Sequence, residues 1–341
     1  MRPKYGMNDH LKKAQVTRRN FEAEALGLLI EASRLAYCAA GTRAPASCGA
    51  HRWESQKYRP RRTRTCVSFD GAGKEMEKQL ESVSTAIIAD ARRFFQNDDT
   101  KNQRYFVAIS GRPGSGKTTI ASRLSHLINQ NYHAQFNLGT QAENRPENSA
   151  APEEDNSPAV STVISLDGCR SVLDQFEDAA EAHRRRGSPE TYDAAGYSAF
   201  MERLAAGRDE QVLRAPGFSH ARKDPVADAV PVFPHHHIVI LEGLYTLLTG
   251  PQVVGHHWHA ASARIHFPIR IDIPPGTAKD RLIARHIQSG LCPSTLLAAQ
   301  RVDSNDHPNG EFLLKHSRRP HLVITSIEDP SMATTALDQV P

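Results

Sequence analysis

Tyr105-Phe-Val-Ala-Ile-Ser-Gly-Arg-Pro-Gly-Ser-Gly-Lys-Thr-Thr119 decides how the rest of the chain is read. Its first five residues are apolar, aromatic or β-branched, which predicts a short buried strand. Gly111-x-x-x-x-Gly116-Lys117-Thr118 follows at once. Thr119 to Asn129 then carries Ile120, Leu124, Leu127 and Ile128 at helical spacing. Strand, glycine-rich loop and helix in that order make a phosphate cradle. Gly111, Gly114 and Gly116 let successive backbone N–H groups turn toward one point, and the helix start adds the positive end of its dipole. Lys117 can neutralise the β- and γ-phosphates, and Thr118 can ligate Mg²⁺. Gly111, Arg112, Pro113, Gly114, Ser115, Gly116, Lys117, Thr118 and Thr119 are therefore expected to bind a nucleoside triphosphate. A glycine-rich turn with an incidental lysine is the competing reading. The flanking strand and helix disfavour it.

The 341 residues fit one large or two small domains, and 39% hydrophobic content suffices for a core. No apolar run is long enough for a transmembrane helix. The five cysteines are odd in number and include no Cys-x-x-Cys pair. That points to a reducing compartment and away from a disulfide framework or a zinc site. Charge is unevenly spread. Met1 to Cys66 holds 14 of the 42 Lys and Arg but only 5 of the 38 Asp and Glu, leaving 28 against 33 in the remainder.

Residues 1–72 therefore read as a basic N-terminal extension, Arg- and Pro-rich around Arg59-Pro-Arg-Arg-Thr-Arg64. A disordered, solvated tail is one reading. A mitochondrial targeting segment is another, although Glu22, Glu24 and Glu31 spoil its acid-poor pattern. Contact with nucleic acid or an anionic membrane is a third. The chain is otherwise expected to be cytoplasmic, with no specific nucleic acid partner and no membrane span, and a homodimer is left open.

Residues 75–96 predict an amphipathic helix with Leu80, Val83, Ile87, Ala91, Phe94 and Phe95 on one face. Residues 133–159 turn polar, acidic and proline-bearing, the pattern of a disordered insertion. Strands are expected at Ser161–Asp167, with a carboxylate at the end, at His237–Glu242, at Pro268–Ile273 and at Leu322–Thr325. Helices are expected within 178–206, broken at Arg186–Pro189, and at Thr277–Gln288 and Ser294–Val302. Val212–Leu213 is at most a short strand before a polar stretch, 216–228. Alternation of strand and helix predicts an α/β, doubly wound, mostly parallel sheet, a P-loop NTPase domain over 73–330 with a tail at 331–341. In such sheets ligands sit outside the carboxyl ends of the strands.

The loop Gly111–Thr119, Leu166-Asp-Gly168, Arg185-Arg-Gly-Ser-Pro-Glu-Thr-Tyr-Asp193, Phe218-Ser-His220 and Leu241-Glu-Gly243 occur in this order. Together they resemble the phosphoribulokinase, uridine kinase and bacterial-type pantothenate kinase family. The block from Arg281-Leu-Ile-Ala-Arg-His286 to Arg301-Val-Asp-Ser-Asn-Asp-His-Pro-Asn-Gly310 resembles a uridine-kinase-like subgroup. The likeness covers about 100–326. It implies an ATP-dependent kinase with Mg²⁺ that phosphorylates a hydroxyl of a small metabolite, on a nucleoside/nucleotide-kinase-like fold with a helical lid, here 276–310 including a following polar loop. A nucleoside or pantothenate kinase proper, or a regulatory nucleotide-binding protein with little turnover, are the alternatives.

Asp167 is expected to end the strand beside the loop strand; by the resemblance it is the candidate catalytic base, with a helix N-cap or turn aspartate as the bland reading. Lys117 and Arg285 would stabilise the transferring phosphoryl group, although Arg281 and Arg285 also fit a solvated helix face. Thr118 and Glu242 are the candidate metal ligands, Glu242 at the position of a Walker-B carboxylate. Acceptor binding falls to His220, Arg185, Tyr192 and Arg222, with Asn305, Asp306 and Asn309 in a polar loop near the adenine or the lid. The chain departs from the family after Asp167. Gly168-Cys169-Arg170 stands where an aromatic of the acceptor pocket is expected, and Arg170 would suit an acidic or phosphorylated acceptor. His235-His-His237 and His256-His-x-His259 lack supporting ligands and are not expected to bind metal.

Overall fold

The structure is a computed structural model that describes residues 74–136, 158–171, 176–208, 211–219 and 224–327. The N-terminal extension, most of the polar insertion, the C-terminal tail, His220 and Arg222 lie outside these residues. Helix α1 (Lys74–Phe95) precedes β1 (Tyr105–Gly111), and the phosphate loop leads into α2 (Lys117–Phe136). Then come β2 (Ser161–Ser165), α3 (Ala179–Arg184), α4 (Ala194–Ala205), β3 (Leu213–Ser219), β4 (Asp224–Val232) and β5 (Ile238–Glu242). Short helices α5 (Pro251–Val254) and α6 (His256–Ala263) lead to β6 (Phe267–Asp272), α7 (Pro275–Gln288), α8 (Thr295–Arg301), α9 (His307–His316) and β7 (Leu322–Thr325).

Five strands form one sheet in the order β2-β5-β1-β6-β7, every pairing parallel. Parallel neighbours need crossovers, and helices supply them on both faces. Side chains alternate across β1. Tyr105, Val107 and Ile109 join α1 and α2 in one core. Phe106 and Ala108 join α4, α6 and Leu313 of α9 in the other. The predicted apolar face of α1 is the buried one: Leu80, Val83, Ile87, Ala91 and Phe94 have no more than 9% exposure.

Three expectations are corrected. First, β2 is not beside β1. β5 lies between them, so Glu242, and not Asp167, ends the strand next to the phosphate loop. Secondly, 213–232 is no polar stretch but an antiparallel hairpin, β3–β4, with a register shift between Ala215 and Gly217. Pro216, Gly217, Pro225 and Pro231 hide its alternation in the sequence, since proline is rarely tolerated in strands except at edges and bulges. Thirdly, the polar loop after the lid is helical. Residues Val302–Asp306 make a π-helical turn that runs straight into α9. Likewise His256, His257 and His259 lie on α6, not in a loop.

The hairpin packs Ala215 and Val232 into the second core and also makes one close approach. Gly168, just after Asp167, lies so near the hairpin backbone that a Cβ would fall 2.3 Å from the Pro216 carbonyl oxygen and 3.1 Å from Gly217 Cα. Only glycine leaves room for this contact.

Candidate active site

The phosphate loop sits at the carboxyl end of β1. Gly114 and Gly116 adopt φ of +82° and +80°, which glycine takes at little cost. Lys117 opens α2 and is buried. Its ammonium donates to the carbonyls of Gly111 and Arg112, both at 3.0 Å. Burial lowers its pKa to about 8, against the opposing pull of Glu242 and Asp167, with Arg285 and Arg170 adding repulsion. These groups, from four different parts of the chain, therefore share one electrostatic neighbourhood.

Thr118 donates its hydroxyl to Glu242 Oε1 at 3.3 Å. Glu242 is 3% exposed, and burial raises its pKa despite hydrogen bonds from Ser165 and Thr118 and the charge of Lys117. A carboxylate that burial disfavours as an anion is one that a cation would stabilise. Hard oxygens from a hydroxyl and a carboxylate, beside a phosphate cradle, fit Mg²⁺.

Asp167 lies in the 3₁₀ turn Leu166–Cys169 after β2. Ser165 caps the turn by accepting from the Asp167 N–H, so Asp167 is a residue of the turn and not its cap. Asp167 Oδ1 accepts from Arg170 Nη2 at 2.8 Å and from the Tyr192 hydroxyl at 3.2 Å. Burial pushes this carboxyl up, but Arg170, Lys117 and Tyr192 together outweigh it and hold the pKa below the usual range. The Arg170 guanidinium lies between two rings, 5.0 Å from the Tyr192 centroid and 5.7 Å from that of Phe218 on β3. Phe218 thus brings from the hairpin an aromatic that the residues after Asp167 lack. Its sequence signal was the Phe218-Ser-His220 block, but its proximity to Arg170 needs the hairpin to be known. Tyr192 is buried at the base, whereas Arg185 is half exposed and ion-paired with Glu190.

On the lid, Arg281 Nη1 donates to the Gly114 carbonyl at 3.4 Å and to the Ser326 hydroxyl at 2.9 Å. Arg285, one turn on, is exposed and acts on Lys117 through its charge. His286 is buried against Asp306, with Nε2 to Oδ2 at 2.8 Å. Asn305 Nδ2 donates to the Arg186 carbonyl at 2.8 Å, so the π-helical turn ties the lid to the 185–193 block. Such turns recur at functional positions. A cavity of about 200 Å³ opens between the loop, the start of α7 and this turn, lined by Arg112, Pro113, Pro275, Leu282, Asp303 and Gly310 among others. Among the described residues no group of three or more His, Cys, Asp or Glu could hold a metal, and no helix is long and apolar enough to cross a membrane.

Comparison with known proteins gives a family and a fold. Residues 106–256 match the phosphoribulokinase / uridine kinase family. A candidate uridine kinase of Schizosaccharomyces pombe is 28% identical over 238 residues, which cover 69% of this chain and 88% of that protein. An ATP-dependent kinase-like protein of Aspergillus versicolor is 34% identical over 149 residues, 43% of this chain and 84% of its own length. Among solved structures, YFH7 of Saccharomyces cerevisiae superposes with a TM-score of 0.57 at 22% identity, over 73% of this chain and 99% of that one. At that identity the superposition shows the α/β fold alone.

Proposed function

Because the chain belongs to the phosphoribulokinase/uridine kinase family of ATP-dependent kinases, we propose that it transfers the γ-phosphoryl group of Mg-ATP to a hydroxyl of a small metabolite. We assign the activity to residues 73–330. The observation that carries this reading is the convergence of Lys117, Thr118, Glu242 and Asp167 at the carboxyl ends of β1, β5 and β2.

Lys117 and the loop amides would hold the β- and γ-phosphates, and the cavity beside Arg112 would take the adenine. Mg²⁺, which Thr118 and Glu242 would hold, supplies neutralisation of phosphate charge when bound. Asp167 would orient the acceptor hydroxyl. As the acceptor O–P bond forms and the P–O bond to ADP breaks, the hydroxyl proton passes to Asp167. A carboxylate of low basicity suffices, because in a loose transition state that proton leaves late. Arg285 would steady the charge spread over the transferring group, while Arg281 braces the loop through the Gly114 carbonyl.

Two other readings have support. The relatives' names make a nucleoside kinase proper an alternative, beside a pantothenate kinase. The Arg170–Asp167 ion pair, closed in this structure, favours a regulatory nucleotide-binding protein with little turnover. ADP release with Mg-ATP and a panel of nucleosides, pantothenate, sugars and sugar phosphates separates them. The kinase reading expects one compound to accelerate release and to gain a phosphate by mass. ATP binding without acceleration by any of them favours the regulatory reading.

A further inference from the structure

Three residues beyond Glu242, a tyrosine reaches across the site to the 185–193 block. Tyr245 is fully buried, and its hydroxyl donates to the Gly187 carbonyl at 2.8 Å. Burial pushes its pKa far above the usual phenol range, so the hydroxyl stays a donor at any working pH. The segment that carries it is fastened to β1, the strand that enters the phosphate loop. The Gly243 N–H donates to the Ile109 carbonyl at 3.0 Å, and the Ser110 hydroxyl donates to the Leu244 carbonyl at 2.6 Å. The Thr246 hydroxyl donates to the Ile109 carbonyl at 3.4 Å. At the far end, Gly187 adopts φ of +95°, and the Arg186 carbonyl just before it accepts from Asn305 of the π-helical turn. Two adjacent carbonyls are thus held from opposite sides, one by the lid side and one by the Glu242 side. The block passes this constraint on to the turn that bears Asp167. The Ser171 N–H donates to the Thr191 carbonyl at 3.0 Å, and the Asp193 N–H donates to the Cys169 carbonyl at 2.8 Å. The Tyr192 hydroxyl donates to Asp167 itself, and the Tyr192 ring meets Tyr245 edge-on with centroids 5.5 Å apart.

We infer that Tyr245 is a positioning residue, whose bond to Gly187 and ring contact with Tyr192 fix the 185–193 block and Asp167 relative to Glu242 and the phosphate loop. This rests on the kinase reading and adds to it a residue that acts through Gly187 and Tyr192. Transfer of a phosphoryl group tolerates little error in the approach of the acceptor hydroxyl. ATP, in contrast, is held by the phosphate loop. Loosening the block therefore slows turnover and leaves ATP binding as it was.

The test uses the full chain and the variant Tyr245→Phe, which keeps the ring and removes the hydroxyl. Thr246→Val is the matched control. It deletes the neighbouring buried hydroxyl on the same segment, but the partner lost is Ile109 of β1. The first readout is hydrogen exchange by mass spectrometry. The Gly187, Ser188 and Thr191 amides are bonded within the block. Their exchange is expected to quicken about tenfold or more in Tyr245→Phe and to stay native in Thr246→Val. The second readout is steady-state kinetics with the acceptor found by the ADP-release panel. Tyr245→Phe is expected to lower kcat about tenfold or more while the KM for ATP stays within about twofold of native. Native exchange in Tyr245→Phe, equal quickening in Thr246→Val, an unchanged kcat, or a loss carried by the KM for ATP would each overturn the inference. Failure of the kinase reading looks different: no compound of the panel accelerates ADP release by the native chain, while the exchange contrast between the two variants persists.

Discussion

Gly168→Ala tests whether the hairpin is locked to the catalytic turn. The added methyl would sit 2.3 Å from the Pro216 carbonyl oxygen and 2.7 Å from its carbonyl carbon. Contacts of real side-chain carbons stay beyond about 3.0 Å, so the turn and hairpin must part by at least 0.7 Å. Both contact atoms are backbone, and no side chain can swing aside. Overpacking of this kind costs about 1–3 kcal/mol, or a fall in Tm of roughly 2–12 °C for a domain of this size. The effect on activity is larger. A misplacement of about 1 Å costs on the order of 10²-fold in rate, and here it separates Phe218 on the hairpin from Arg170 and Asp167 on the turn. Scanning calorimetry and acceptor-dependent ADP release on the same preparation measure both. Gly276→Ala is the stability control, because nothing lies within 4 Å of its added methyl. If Gly168→Ala melts with the native protein and turns over within twofold of it, the packing described between turn and hairpin is wrong.

Four further outcomes are expected. Lys117 has a pKa lowered to about 8, so its charge is present below that pH and lost above it. The kcat/KM for ATP, which reports the free enzyme, should therefore fall above about pH 8 and be roughly tenfold down by pH 9; a flat profile to pH 9.5 would contradict the burial of Lys117. Glu242→Gln should raise the Mg²⁺ concentration for half-maximal activity by at least about tenfold, as a Mg²⁺ titration at fixed ATP shows, and an unchanged requirement would remove Glu242 from the metal site. Arg281→Ala loses hydrogen bonds to the loop and to Ser326 and should raise the KM for ATP about tenfold. Arg285→Ala should instead lower kcat by about 10²-fold at unchanged Tm, and steady-state kinetics on both variants checks the division.

Local chemistry made much of this molecule readable. The β1 strand, the phosphate loop and the start of α2 follow from glycines, a lysine and apolar spacing within fifteen residues. Glu242 was readable because it ends a continuous apolar run, Ile238–Leu241, whose residues are no more than 1% exposed. Strand order was not, since nothing in β2 states whether β1 or β5 is its neighbour. The β3–β4 hairpin was hidden because tertiary contacts, the close approach of Gly168 and the burial of Ala215 and Val232, and not strand propensity, hold its proline-bearing strands. Helix α9 was hidden by His307-Pro-Asn-Gly310, which reads as a turn. Pro308 is tolerated because it follows just after the π-helical turn Val302–Asp306, where the regular helical bonding is already interrupted, and Gly310 leaves space for the Arg112 side chain, 3.3 Å from where its Cβ would be. Partnerships across the site were least legible. Arg170 was readable as an unusual charge after the base, but its bond to Asp167 and its place between Tyr192 and Phe218 require three separate segments to be folded together.

The most direct measurement of the central claim is acceptor-dependent ADP release by the native chain and by Asp167→Asn, with ATP affinity measured on both. The account predicts that an acceptor gains a phosphate in the native reaction. It predicts that Asp167→Asn lowers turnover by about 10²–10⁴-fold while ATP binds within a few-fold of native. Turnover by Asp167→Asn close to native would contradict it.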